Sequence, residues 1–458
     1  MEWWIKMRKE EGAALRLWVY SLVIGAVACS AVIFVAQSKG LDPARLTGDA
    51  TGYVLLAQNI LEHQVFSFSR QEPLVPDSFR APGYPLFLAG LFSIFHSWIA
   101  VLIAQALLVS AAPVLLYILL RPYHERAAWW GSILFAFEPV RLFTSSTLLS
   151  DALFTCLSLG SLVLLSAAAA RRSLWRVAGA GLVLGLAILV RPIAQFLPLL
   201  FVGYLFVAQV PWRRAAYMST VLLVACAVVV VPWMARNHAL FGSWSISSVS
   251  SYNLAAYNAP EYAKYRPTPE GTQILKDFAQ RQASMPGEEG LSLLRAEEFK
   301  TVFWGVVRGH ELDYALFHVF KTTPFFLTDG LRDTVRLFGV DVGALPNITS
   351  AILGGKAEVL IQSFRQGGLG LVLLVFGSSA WLCVFLLYVY WAYRAVRMRL
   401  YPLVFLLVAL VFYFALLTGP VSNARYRLPV EGFLLVAAAG TVLELKSRLL
   451  KYTKITQN

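Results

Sequence analysis

Apolar runs, most long enough to cross a bilayer, recur from one end of this chain to the other. No other feature limits its fold as strongly, because about 20 consecutive apolar residues span a membrane as a helix. The runs fall near 16–36, 97–120, 127–146, 149–170, 177–190, 193–209, 215–235, 366–392, 400–418 and 429–445. Three are short or flanked by proline, so the pattern predicts about ten transmembrane helices. Composition agrees: 58% of the 458 residues are hydrophobic and 14% charged, and the mean hydropathy is +0.63. Soluble domains average about 45–50% and about 25%. A soluble globule cannot bury this much apolar surface, which excludes soluble enzyme folds and nucleic-acid modules. The predicted fold class is an all-α polytopic membrane protein.

The formal net charge is +13, and where the charges lie matters more than their sum. Arg8 and Lys9, Arg121 and Arg126, Arg171 and Arg172, Arg213 and Arg214, Arg394, Arg397 and Arg399, and Lys446, Arg448 and Lys451 fall on alternate connections. By the positive-inside rule, both termini are then cytoplasmic. The apolar stretch Pro85–Phe95 is too short to span, and counting it would break the alternation. It reads as an interfacial or re-entrant helix of a first external loop, 37–96. A second external segment, 236–365, is mostly polar with amphipathic stretches at 288–307 and 311–328. In the latter, Leu312, Leu316, Val319 and Phe320 recur at helical spacing. This segment is too long for a connector and predicts a small external cap. The expected division is an N-terminal transmembrane module (1–235), the cap (236–365) and C-terminal helices with a cytoplasmic tail (366–458).

Lesser features add little. Cys29, Cys156, Cys226 and Cys383 lie inside apolar runs, too scattered for a metal cluster and without disulfide spacing, so they read as core residues. The first apolar run has no small-residue cleavage site after it, so a cleavable signal peptide is not expected. Asn347-Ile-Thr is a formal glycosylation sequon of the kind chance supplies. No internal repeat is evident, which argues against transporter folds built from duplicated halves.

Chemistry is signalled by charges where lipid disfavours them. Asp49, Arg80, Asp151, Arg191, Arg236, Arg425 and Arg427 all map to the outer ends of spans or to the first external loop. A charge at the bilayer centre costs about 2.5–3.5 kcal/mol on insertion scales, so such residues usually line a wet cavity. Any one arginine also reads as a snorkelling anchor. Several on one side, with two acids, point to a shared anion-binding cavity.

Asp49 opens an amphipathic stretch that runs to about Leu61. If helical, it sets Tyr53 one turn on along the same face. The acid then serves as a general base or a metal ligand, or simply as a helix N-cap. Arg80 sits in Phe-Arg-Ala-Pro-Gly-Tyr84-Pro, where two prolines around a glycine stiffen the turn and its guanidinium offers paired donors to a phosphate. Asp151 starts the fourth span, as a cavity acid or a carboxylate favoured by the helix dipole. Glu138-Pro139 ends the third span opposite it and is a weaker candidate. Arg191-Pro192, the run Pro232-Trp-Met-Ala-Arg236-Asn, and Arg425-Tyr426-Arg427-Leu-Pro complete the set. Two arginines flanking a tyrosine suit a phosphate or pyrophosphate headgroup.

In this order the motifs resemble superfamily C glycosyltransferases, most closely bacterial relatives of the protein O-mannosyltransferases and lipid A aminoarabinose transferases. The stretch Ser247–Pro260, with Asn253 and Asn258, is similar to the segment after Arg-Asn in many of them. The likeness runs from Asp49 to about Pro429. It implies a polyprenyl-phosphate sugar as donor, transfer with inversion on the external face, Asp49 as catalytic carboxylate and Asp151 as a second cavity acid. It also implies that Tyr53, Arg80, Tyr84, Glu138, Arg191, Arg236, Asn253, Arg425, Tyr426 and Arg427 are candidates for substrate binding. Alanine follows Asp49 where several relatives place another acid, so a divalent metal on Asp49 and Asp151 stays open.

The residues by themselves favour the same chemistry. Apolar spans offer a groove for a prenyl tail, arginines stabilise a phosphate leaving group, and an acid takes the acceptor's proton. The sequence carries no glycine-rich phosphate loop. The acceptor is a lipid, glycan or protein. Alternatives are a lipid-linked sugar transporter or flippase, which predicts matching charges in the cytoplasmic half, and a polysaccharide polymerase or ligase.

Overall fold

The structure is a computed structural model, and it describes residues 2–208, 210–285, 289–338, 358, 361 and 369–456. The Asn347-Ile-Thr sequence lies outside them. Among the described residues the fold is nearly all helix, and the one β pairing outside named strands is an isolated bridge between Ser67 and Pro76.

Among the described residues, seven helices are long and apolar enough to cross a membrane: Gly12–Ser38, Trp98–Leu120, Ser150–Arg171, Trp212–Phe241, Val375–Arg397, Tyr401–Val421 and Ala424–Leu450. Gly83–Phe95, Leu174–Val190 and Pro192–Val207 are shorter apolar helices. The chain is a polytopic membrane protein. The predicted third span, 127–146, is not one helix but two, Glu125–Ala136 and Pro139–Ser145. Glu138 caps the second, accepting the Arg141 backbone N–H at 2.7 Å. Pro139 at the first helical position has no N–H to continue the preceding helix.

Packing follows side-chain size. Leu174–Val190 lies between Ser150–Arg171 and Trp212–Phe241. Gly181 and Gly185, one turn apart, let the last of these approach closely, since a Cβ on Gly181 would meet the Leu222 carbonyl oxygen at 2.5 Å. Small residues serve membrane helices in this way because lipid supplies no hydrophobic drive for their association. The final helix packs on Glu125–Ala136 and Leu369–Arg397. One continuous core joins these elements, with Leu88, Leu116, Phe154, Leu184, Phe201, Leu407 and Phe433 among its members.

Beyond Phe241 the chain leaves the long helices for a set of short ones. Val249–Asn253 runs through a π turn at Leu254–Asn258 into Ala259–Tyr265, followed by Pro269–Ser284, Ala296–Val307 and Glu311–Phe320. They have their own apolar clusters, one around Tyr262, Phe303 and Phe317 and one around Phe278, Phe299 and Val302. The amphipathic stretch 311–328 forms Glu311–Phe320 and Thr323–Leu327. The first of these buries Phe317 but leaves Leu312, Leu316, Val319 and Phe320 exposed.

Candidate active site

Asp49 lies in the first turn of the helix Gly48–His63. Thr47, not Asp49, is the N-cap: its hydroxyl accepts the Ala50 N–H at 3.1 Å. The Asp49 carboxylate is therefore free of capping duty while the helix dipole still favours its charge. Tyr53 follows one turn on, its hydroxyl within 3.2 Å of Ser150 Oγ.

Arg80 is aimed by the residues before it. The Asp77 carboxylate accepts the backbone N–H groups of Phe79 and Arg80, both at 3.1 Å, making a turn of the kind aspartate favours. Burial pushes the Asp77 carboxyl up in spite of these two donors. Gly83 then lets the turn seat against the end of Leu174–Val190, because a Cβ there would lie 2.7 Å from the Leu189 carbonyl carbon and 2.8 Å from Val190 N. That contact brings the Arg80 turn to the helix end that carries Arg191, and both arginines line one cavity. Arg236 braces the same turn, donating to the Asp77 carbonyl at 2.7 Å and to Asn237 Oδ1 at 2.8 Å. Its guanidinium lies 4.5 Å from the centre of the Trp233 ring.

The charges meet in a row of alternating sign: Arg191, Asp151, Arg425, Asp49, Arg80. Arg191 pairs with Asp151. Arg425 bridges the two acids, with Nε 2.8 Å from Asp151 Oδ2 and NH1 2.9 Å from Asp49 Oδ2. Arg80 closes the row, with NH2 2.7 Å from Asp49 Oδ1 and NH1 3.3 Å from the Tyr53 hydroxyl. Three guanidinium groups against two carboxylates leave one positive charge in excess. Burial raises the Asp49 carboxyl, but Arg80 and Arg425 outweigh it and hold the group at about 2. The acids differ in access: the Asp49 side chain is 32% exposed and that of Asp151 only 2%. A ligand can reach Asp49, whereas Asp151 lies beneath the row and holds Arg191 and Arg425.

The row borders a cavity of about 810 Å³ that Asp49, Tyr53, Arg80, Arg191, Arg425 and Tyr426 line. Asn253 lines it as well, with Tyr252 and Tyr257. Five sequence candidates lie outside this lining, the first being Asp151, sealed behind Arg191 and Arg425. Tyr84 is fully buried, donating to Gln105 at 2.5 Å and packing edge-on against Tyr53. Arg236 holds the Asp77 turn. Glu138 is the buried helix cap already described. Arg427 is fully buried with Glu431, at 2.9 Å, donates to the Phe325 carbonyl at 2.8 Å, and sits over the Trp381 ring. Its side chain points into the helix bundle because it is two residues from Arg425, about 200° around the helix.

Sequence reasoning missed Asp77, Ser150, Tyr252 and Tyr257. Asp77-Ser78 just before Arg80 was a turn signal that could have found the first. The two tyrosines follow no spacing that marks a cavity wall.

A metal does not suit these residues. Among the described residues, no group of three or more His, Cys, Asp and Glu gathers. Asp49 and Asp151 are separated by Arg425, whose charge repels a cation.

Residues 79–235 match the model of a family described as dolichyl-phosphate-mannose-protein mannosyltransferase. No curated protein matches the chain. Among solved structures it is similar to the archaeal oligosaccharyltransferase AglB from Archaeoglobus fulgidus in complex with an inhibitory peptide and a dolichol-phosphate. That match has 16% identity and a TM-score of 0.52, and covers 96% of this chain and 51% of that one. It is similar also to the A. fulgidus oligosaccharyltransferase in complex with Zn and sulfate, at 16% identity and TM-score 0.52 over 94% of this chain and 50% of that one. A form of that enzyme tethered with an acceptor peptide containing the NVT sequon matches at 15% identity and TM-score 0.51, over 94% and 50%. The chain spans about half the length of these structures. At such identity the likeness speaks for the fold alone: this chain shares the polytopic membrane fold of these oligosaccharyltransferase structures, and its residues 79–235 resemble the mannosyltransferase family.

Proposed function

We propose that this protein is an inverting glycosyltransferase that moves a sugar from a polyprenyl-phosphate donor to an acceptor hydroxyl on the external face of a bacterial inner membrane. The observation that carries the reading is the row Arg191–Asp151–Arg425–Asp49–Arg80, of which all but the buried Asp151 line the cavity. One surplus positive charge and several guanidinium donors suit a phosphate monoanion or diester. The acceptor oxygen attacks the anomeric carbon opposite the phosphate, and the new C–O bond forms as the bond to the phosphate oxygen breaks. The electron pair goes to the phosphate, where Arg425, Arg80 and Arg191 stabilise the growing charge. The acceptor proton goes to Asp49.

A carboxylate held at about 2 is a weak base in the resting site. Donor binding changes that, because the phosphate competes with Asp49 for Arg80 and Arg425. Losing part of that positive field raises the basicity of Asp49 when it is needed. Asp151, sealed beneath, keeps Arg425 and Arg191 in place meanwhile.

The test uses purified protein, labelled polyprenyl-phosphate sugar and an envelope lipid or glycan fraction as acceptor. Release of polyprenyl phosphate with label passing to the acceptor is expected, and a flippase or polymerase would not produce it. Asp49→Asn should lower turnover about 10²- to 10⁴-fold, the usual share of a general base, while donor still binds. Wild-type turnover by that variant would remove Asp49 from the mechanism.

A further inference from the structure

The helix Glu311–Phe320 presents its apolar side outward. Phe317 is 2% exposed, whereas Leu312, Leu316, Val319 and Phe320 are 76%, 55%, 55% and 58% exposed. With about 100° between successive residues, these four occupy an arc of about 100°. The remainder of the helix is fastened down. Tyr314 packs against Tyr262 and Phe303. Asp313 accepts from the Tyr262 hydroxyl at 2.8 Å and from Arg266 at 3.1 Å, and Lys321 pairs with Glu261 at 3.0 Å. The helix cannot roll to hide the stripe without breaking these bonds.

Its position identifies what covers the stripe. His318 Nε2 lies 2.6 Å from the Leu416 carbonyl oxygen, near the cavity end of the span Tyr401–Val421. A few residues later the chain buries Phe325 and Phe326 in the core of the long helices. Phe412 and Leu416 of that span are also substantially exposed, as the lipid-facing side of a membrane helix is. The stripe thus continues a lipid-facing surface at the level where the span ends. Leu417 and Thr418 line the cavity, so the helix flanks the cavity mouth.

We propose that Glu311–Phe320 is an interfacial helix that lies on the membrane beside the cavity, with Leu312, Leu316, Val319 and Phe320 in the boundary between headgroups and acyl chains. It fixes the short-helix region at a set depth over the site. The inference is independent of the transferase reading.

The test places a nitroxide at Leu316→Cys in the full chain, with Cys29, Cys156, Cys226 and Cys383 replaced by alanine, in nanodiscs of phosphatidylethanolamine and phosphatidylglycerol. Lys276→Cys on the helix Pro269–Ser284, an exposed position, reports water. Val228→Cys on Trp212–Phe241, exposed on a span, reports lipid. The ratio of collisions with oxygen to those with a nickel chelate should be roughly tenfold higher at 316 than at 276, because the acyl boundary excludes polar solutes. A ratio at 316 equal to that at 276 would overturn the proposal, as would dipolar broadening from a second copy seated on the stripe. Leu312→Cys gives an independent reading should the first variant fold poorly.

Discussion

Removing Arg427 leaves the Glu431 carboxylate buried without its cation, since both side chains are fully enclosed and 2.9 Å apart. Breaking such a pair costs about 3–5 kcal/mol, while replacing both members by apolar residues is often neutral. Arg427→Met should therefore lower stability by that amount, measured by thermal unfolding in detergent, and adding Glu431→Met should restore most of it. Polyprenyl-phosphate affinity should stay unchanged in both. Arg425→Ala should instead lose about ten- to hundredfold in affinity, the worth of a charge-assisted hydrogen bond or two. Asp49 yields a pH prediction. Its folded carboxyl lies at about 2, below the unfolded value of ~3.9, so its ion pairs add full stability above about pH 4 and lose it as the pH falls through 2. Free enzyme should accordingly show no acid limb from Asp49 in kcat/KM above about pH 4. In kcat, measured with donor drawing on the arginines, that limb should move to higher pH, and coincident limbs would refute the sharing. Asp49, Arg80, Asp151, Arg191 and Arg425 were all visible in the sequence because a charge beside an apolar run needs a reason. Assigning Arg427 to the phosphate as well overlooked that residues two apart on a helix face apart. The Glu four residues later, at ion-pair spacing, marked its true partner.

The turn 77–82 and the helix Gly83–Phe95 that it starts act as one element, and Gly83 is where that element meets the bundle. Any side chain there meets the Leu189–Val190 backbone at under 3 Å, which cannot yield as a flexible side chain would. Gly83→Ala should cost about 1–3 kcal/mol as overpacking does. It should also reduce turnover, because the turn that moves carries Arg80. Asp77→Ala tests the same element with no clash: it removes the acceptor of two backbone N–H groups. A drop in turnover of about 10²-fold is expected, the scale of a misplacement near 1 Å. Equal activity of Asp77→Ala and wild type would mean that Arg80 needs no such support. At this scale hydrophobic length found most helices, but it merged Glu125–Ala136 with Pro139–Ser145. Both pieces are apolar, so their junction is invisible to a hydropathy window. Glu138-Pro139 carried the break in its capping chemistry, an acid before a proline at the first helical position. Tyr252 and Tyr257 stayed hidden because a π turn begins between them at Leu254, and its i→i+5 pattern shifts side chains off the ordinary helical spacing.

The cavity is assembled from parts of the chain that lie far apart in sequence: Asp49 and Arg80 near the start, Arg191 mid-way, Tyr252 and Asn253 after the long helix Trp212–Phe241, and Arg425 near the end. No single segment holds the site, so a ligand there should tie the molecule together. The free energy of that coupling is RT ln(1 + [L]/Kd), about 2.7 kcal/mol when ligand stands at a hundred times its Kd. Polyprenyl phosphate without a sugar should therefore raise the unfolding temperature of the whole protein in detergent, in one cooperative transition. On the proposed reading, the phosphate supplies the coupling by engaging Arg80 and Arg191 from one half and Arg425 from the other. Arg425→Ala should lose most of the shift, and Arg427→Met should keep it from its lower starting temperature. The matching polyprenol, with the same tail and no phosphate, separates groove from charge. It should stabilise little, because a tail held by apolar helices gains scarcely more there than among lipid or detergent chains. An equal shift from polyprenol would mean that the tail alone holds the ligand, leaving the row of arginines without the role its geometry suggests.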